Sequence, residues 1–118
     1  MPKTTVIIPA RWASTRFPGK PLFPLLGKPL IQHVWERSTR AQGIDSVVIA
    51  TDDMRIAETA FGFGAEVALT SPKCVSGTDR CAEVAARLKN TRHIINVQGD
   101  EPLVDPLLIA KLASSLRE

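Results

Sequence analysis

Residues 9–22, Pro-Ala-Arg-Trp-Ala-Ser-Thr-Arg-Phe-Pro-Gly-Lys-Pro-Leu, gather the groups best suited to an anionic ligand. Arg11, Arg16 and Lys20 fall in one short stretch, with Ser14, Thr15 and Gly19 among them. A guanidinium offers a planar fork of N–H donors that matches phosphate oxygens, and a lysine adds a compact charge. Successive backbone N–H groups in such a loop form an anion-binding nest. A solvated basic loop has the same composition, so charge and spacing leave both readings open. The segment is not a Walker A loop: Gly19-Lys20 runs into Pro21, and Ser14 stands where that motif has its first glycine.

Two further segments carry chemistry. Val97-Gln98-Gly99-Asp100-Glu101-Pro102 closes an apolar run with two carboxylates. A strand-end carboxylate suits Mg²⁺, which takes few protein oxygens and completes its shell with water and substrate phosphates. A polar turn would use the same residues. Ser76-Gly77-Thr78-Asp79-Arg80 precedes a helical pattern. Ser76 or Thr78 is a natural N-cap, and Asp79 suits the positive end of a helix. Gly77 also permits the backbone to approach a base or ribose closely. His33 and His93 read as structural residues, and no Ser/His/Asp set can be assembled. Gly62-Phe63-Gly64 stands after a helical pattern and before a strand, the reverse of a dinucleotide fingerprint, and reads as a helix stop.

The elements that must position these segments follow from periodicity. Thr4–Pro9 (TTVIIP), Ser46–Thr51 (SVVIAT), Glu66–Leu69 and His93–Val97 (HIINV) read as strands. Leu30–Ala41 carries Leu30, Ile31, Val34 and Trp35 at helical spacing and is followed by Gly43. The spacing predicts further helices over Asp53–Phe63, with Ile56, Ala57, Ala60 and Phe61 on one face, and over Thr78–Lys89, with Cys81, Val84, Ala85 and Leu88 inward. Asp105-Pro106 opens a last helix over Leu107–Leu116. Alternating strands and helices imply an α/β fold, a Rossmann-like, mostly parallel sheet with flanking helices. Ligands in such sheets gather beyond the carboxyl ends of the strands. Pro9–Lys20, Thr51-Asp52-Asp53 and Gln98–Pro102 all fall there.

Composition excludes several classes. The chain of 118 residues is one domain's worth, with 44% hydrophobic and 23% charged residues. Fifteen basic against twelve acidic residues give a net charge of +3, scattered rather than arranged in a nucleic-acid-binding stripe. No apolar run is long enough to span a bilayer, and the first residues lack the features of a signal peptide. Cys74 and Cys81 do not form a zinc pattern and are expected to be free thiols in a reducing cytoplasm.

Three blocks together resemble the 3-deoxy-manno-octulosonate cytidylyltransferase (CMP-KDO synthetase) family: Ile8–Leu22, Ser76–Arg80 and Asn96–Pro102, with Thr51-Asp52 also fitting. The first block occurs more loosely in other sugar nucleotidyltransferases; the combination is much more specific. The resemblance runs along essentially the whole chain and implies a nucleotide-diphospho-sugar transferase type of fold. The implied reaction is CTP + KDO → CMP-KDO + pyrophosphate, in which an eight-carbon acidic sugar is activated for lipopolysaccharide synthesis. It implies CTP phosphates on the first loop, with Ser14, Arg11, Arg16 and Lys20 as contacts. Ala10, Thr51, Asp52, Ser76, Gly77 and Thr78 would contribute to the nucleotide site. Gln98 would lie near the sugar, Asp100 would hold Mg²⁺, and Arg11, Lys20 and Asp100 would act on the reacting phosphates. The chain departs from the family in having Lys73-Cys74 where an Asp-His pair is common. Family members are also considerably longer, and their second half supplies much of the sugar site, dimer contacts and a second Mg²⁺ ligand. The chain therefore looks like a truncated, amino-terminal portion, expected to turn over weakly or not at all alone and to self-associate or form a homodimer.

Overall fold

The computed structural model describes residues 3–13, 17–74, 76–88, 91–99 and 101–117. In chain order these form β1 (Lys3–Pro9), a 3-10 turn (Lys20–Leu22), β2 (Pro24–Leu25), β3 (Lys28–Pro29) and α1 (Leu30–Arg40). There follow β4 (Ser46–Thr51), α2 (Met54–Gly62), β5 (Glu66–Leu69), α3 (Gly77–Arg87), β6 (Thr91–Asn96) and α4 (Pro106–Arg117). All four strands and all four helices read from periodicity are present, with ends shifted by up to two residues.

The main sheet has the order β5-β4-β1-β6, and every pairing in it is parallel. Parallel strands bury both faces, which is why β1 and β4 read as continuous apolar runs. Side chains alternate across the sheet. Val6, Ile8, Val47, Ile49 and Ile95 pack on one face against Ile31 and Val34 of α1, Ile56 and Ala60 of α2, and Ile109 and Ala113 of α4. Ile7, Val48 and Ala50 pack on the other face against Cys81 and Val84 of α3. Three helices thus cover one face and one helix covers the other. Each fully buried aliphatic side chain contributes about 1.5–3 kcal/mol of transfer free energy.

The helix ends follow their sequence signals. Asp53 caps α2 through bonds from Arg55 N–H (2.9 Å) and Ile56 N–H (3.2 Å). Gly64, at φ 97°, ends the same helix, with Ala65 N–H bonding Ala60 C=O and Gly64 N–H bonding Phe61 C=O.

Three features depart from expectation. Phe61, expected inward on α2, is 77% exposed. Arg80 is buried on α3. Pro24–Pro29 forms a small antiparallel hairpin whose turn residues, Leu26 (φ 53°) and Gly27 (φ 81°), both have positive φ, as a I′ turn requires.

Candidate functional site

The chain runs from β1 to β4 to β5 in one direction and then returns to β6 on the far side of β1. The order therefore reverses between β1 and β6. A crevice opens at the carboxyl ends of two such strands because the chain leaves them in opposite directions. Here it holds a cavity of about 280 Å³, lined by Pro9, Ala10, Arg11, Lys20, Pro21, Ser76, Gly77, Arg80, Gln98 and Gly99.

The backbone is drawn tight at this point. Ala10 N–H donates to Ala50 C=O at 2.9 Å, and Gly99 N–H donates to Pro9 C=O at 3.2 Å. A Cβ on Gly99 would lie 2.9 Å from the Pro9 oxygen. Gly77, the first residue of α3, also sits close to its neighbours: a Cβ there would lie 3.1 Å from Gln98 Oε1 and 3.2 Å from Pro9 Cγ. Glycine at both positions keeps the walls of the cavity close without a clash.

Two cations line the cavity from the loop after β1. Arg11 is exposed and Lys20 half-buried, at the first residue of the 3-10 turn. The opposite wall is the N-terminus of α3, whose unpaired N–H groups carry a partial positive charge. Ser76 caps it by accepting Asp79 N–H at 3.1 Å, an interaction worth about 1 kcal/mol. Cations facing a helix N-terminus across a small cavity suit a phosphate-bearing ligand. The Gln98 amide donates to Asn96 Oδ1 at 3.0 Å, which leaves its carbonyl oxygen toward Gly77.

The structure thus brings Ala10, Arg11, Lys20, Ser76, Gly77 and Gln98 together. It does not bring Thr51, Asp52 or Thr78 to the lining. Thr51 is fully buried at the end of β4, and its hydroxyl accepts Asp53 N–H at 3.2 Å. Asp52 pairs with Arg80, Oδ1 to Nη1 at 2.9 Å. Thr78 is exposed on the first turn of α3. Ser14, Thr15, Arg16 and Asp100 lie outside the described residues. Among the described residues no group of three or more His, Cys, Asp and Glu is arranged to hold a metal ion. No helix there is long and apolar enough to cross a membrane.

Arg80 is the site residue that the pattern did not single out. Its guanidinium reaches Asp52 and also donates to Thr70 Oγ1 (2.7 Å) and Cys74 C=O (3.4 Å). It thereby ties α3 to the ends of β4 and β5 and to the loop before α3. A buried charge persists only where it is paired and hydrogen-bonded. The nearby thiols are unpaired with each other. Burial raises the Cys81 pKa to about 11, and burial followed by the Glu83 charge raises that of Cys74.

The sequence pattern of the cytidylyltransferase family matches residues 5–118. A 3-deoxy-manno-octulosonate cytidylyltransferase of Syntrophotalea carbinolica is 56% identical over 114 residues, covering 97% of the chain and 45% of that protein. An 8-amino-3,8-dideoxy-manno-octulosonate cytidylyltransferase of Shewanella frigidimarina is 51% identical, covering 95% and 46%. The solved structure of a CMP:2-keto-3-deoxy-manno-octonic acid synthetase in complex with CTP superposes with a TM-score of 0.94 at 42% identity, covering 98% of the chain and 47% of that one. The chain spans less than half the length of each.

Proposed function

The chain belongs to the cytidylyltransferase family, and from that premise we propose that it holds CTP in the β1/β6 crevice for transfer of CMP to KDO. The observation that carries this reading is the convergence of Arg11, Lys20, Ser76, Gly77 and Gln98 on one cavity. The reaction is CTP + KDO → CMP-KDO + pyrophosphate. The anomeric hydroxyl of KDO attacks the α-phosphorus, the bond to the bridging oxygen breaks, and pyrophosphate departs in line. Negative charge accumulates on the departing phosphates. Arg11 and Lys20 are assigned to offset it with positive charge, and such positioning is the main task of a protein in these transfers.

Arg16 and Ser14 belong to the same loop and are assigned to the triphosphate with it. Ser76, Gly77 and Ala10 are assigned to the base and ribose, where glycine and a small side chain allow close approach. Thr78, Thr51 and Asp52 serve the nucleotide site from outside the lining, Asp52 by fixing Arg80. Gln98 is assigned to the sugar.

Mg²⁺ is assigned to this site as the ion that accompanies the substrate phosphates. Asp100, the first of two carboxylates in sequence after the cavity residue Gly99, is assigned to the ion, with substrate phosphates and water as the remaining oxygens that Mg²⁺ prefers. When bound, the ion would neutralise phosphate charge and align the leaving group. The sugar's place in lipopolysaccharide and a cytoplasmic setting, in which Cys74 and Cys81 remain reduced, complete the reading.

Two alternatives have support. The Shewanella relative is named for an amino analogue of KDO, which supports a related acidic sugar as acceptor. The second alternative is nucleotide binding without turnover, which the crevice supports by itself. Pyrophosphate release from CTP and Mg²⁺, assayed with KDO and its 8-amino analogue in parallel, tests all three. Release with KDO above its analogue bears out the proposal. Release with the analogue alone, or CTP binding with no release, moves the function to the corresponding alternative.

A further inference from the structure

The two loop cations of the cavity, Arg11 and Lys20, flank a contact that lies outside its lining. Trp12 directly follows Arg11, and Gly19 directly precedes Lys20. Gly19 N–H donates to Trp12 C=O at 2.8 Å, which closes the base of the loop. Gly19 stands at φ 72°, and a Cβ there would lie 2.7 Å from the Trp12 ring. The indole therefore fills the space that any side chain at position 19 would need. The Arg55 guanidinium lies over the same indole, 3.4 Å from the ring centroid.

The Nε–Nη2 edge of Arg55 is occupied by Asp53. Its Nε and Nη2 bond Asp53 Oδ1 (3.2 Å) and Oδ2 (2.8 Å). The same Asp53 carboxylate caps α2. The orientation of Arg55 is therefore set by the first turn of a helix packed in the core, and the Trp12 ring lies against that guanidinium. A planar cation over an indole face is a directional contact.

From this arrangement we propose that Trp12 and Arg55 are positioning residues: their stack sets the conformation in which the loop presents Arg11 and Lys20 to the cavity. The inference deepens the CTP-binding reading and rests on it for the identity of the anion. The stack itself can be read without nucleotide. Trp35 is the only other tryptophan, so Trp35→Phe leaves Trp12 as the sole indole reporter.

The experiment compares Arg55→Leu, Arg55→Lys and Trp12→Phe in the 118-residue chain, with Trp35→Phe as the background of the two Arg55 variants. Acrylamide quenching of Trp12 and hydrogen exchange of the Gly19 amide are measured without ligand, and the Kd for CTP is measured by calorimetry. Arg55→Leu is expected to raise quenching and Gly19 exchange and to weaken CTP binding roughly three- to tenfold. Trp12→Phe, which keeps a ring, is expected to bind within about threefold of the parent chain, and Arg55→Lys, which keeps the charge but loses the planar fork, is expected to fall between Trp12→Phe and Arg55→Leu. Arg55 is exposed on α2, so its variants test the idea even if a Trp12 variant folds poorly. Unchanged quenching and exchange in Arg55→Leu would overturn the proposal, as would altered quenching with CTP affinity intact. Failure of the parent chain to bind CTP would instead remove the nucleotide reading, while quenching and exchange would still decide whether the stack orders the loop.

Discussion

Gly99 N–H reaches the Pro9 carbonyl oxygen at 3.2 Å, and a Cβ on Gly99 would lie 2.9 Å from that oxygen. This contact joins β1 and β6 where the strand order reverses, so it sets the width of the cavity floor. Gly99→Ala must push the strand ends apart. Overpacking of this kind costs about 1–3 kcal/mol. The expected outcome is a lower urea midpoint together with weaker CTP binding. A variant with parental stability and affinity would show that the floor is compliant.

The Asp52–Arg80 pair predicts an asymmetry. The Arg80 side chain is 4% exposed and that of Asp52 27%. Asp52→Ala strands a buried cation with only neutral acceptors, at a cost of about 3 kcal/mol or more. Arg80→Met leaves a carboxylate that water can reach, and a side chain that fills much of the same space. It should cost less. Urea unfolding of the two variants gives the order, and equal losses would contradict the buried-cation account.

Asp53 links stability to pH. Bonds from the Arg55 side chain lower its pKa most, burial raises it by less, and the Ile56 N–H, the Arg55 charge and the Arg55 N–H lower it further, for a net depression. A depressed carboxylate pKa stabilises the fold above the unfolded value, near 4. That contribution is lost as pH falls through the folded value. Asp53→Asn keeps a capping side chain but removes the titration. Its unfolding midpoint should therefore fall less between pH 5 and pH 3 than that of the parent chain. Parallel curves would show that Asp53 does not contribute to the acid transition.

Self-association is expected through α4. Leu107, Leu108, Leu112 and Leu116 on this helix, and Leu103 just before it, are all exposed. Exposed leucines clustered on one helix form an interaction surface or an aggregation hazard where they are contiguous. Sedimentation should show concentration-dependent association that Leu108→Glu with Leu112→Glu reduces. A monodisperse monomer at high concentration would contradict it.

Much of this fold was legible because its signals are local. TTVIIP and SVVIAT announce buried strands, Ser76 or Thr78 announces a cap, and Gly64 announces a helix stop. The cavity was legible too, since the strand ends that carry Arg11, Lys20 and Gln98 follow from strand and helix alternation. Arg80 was not. In its helix it reads as one more polar residue, and its partners Asp52 and Thr70 are brought to it only by the packing of α3 across the sheet. The Leu26-Gly27 hairpin was hidden for a related reason: its two-residue strands begin and end on prolines, and Leu26 is a poor choice for positive φ. Phe61 followed the helical stripe on paper, but α2 turns that edge of the stripe to solvent.

The most direct test of the central claim is a calorimetric titration of the 118-residue chain with CTP and Mg²⁺, repeated on Arg11→Met and Lys20→Met. A charge-assisted phosphate contact is worth about 1.5–3 kcal/mol, roughly a ten- to hundredfold change in Kd. The account predicts one saturable site in the parent chain and at least about tenfold weaker binding in each variant. No CTP binding by the parent chain, or affinity unchanged by both substitutions, would contradict it.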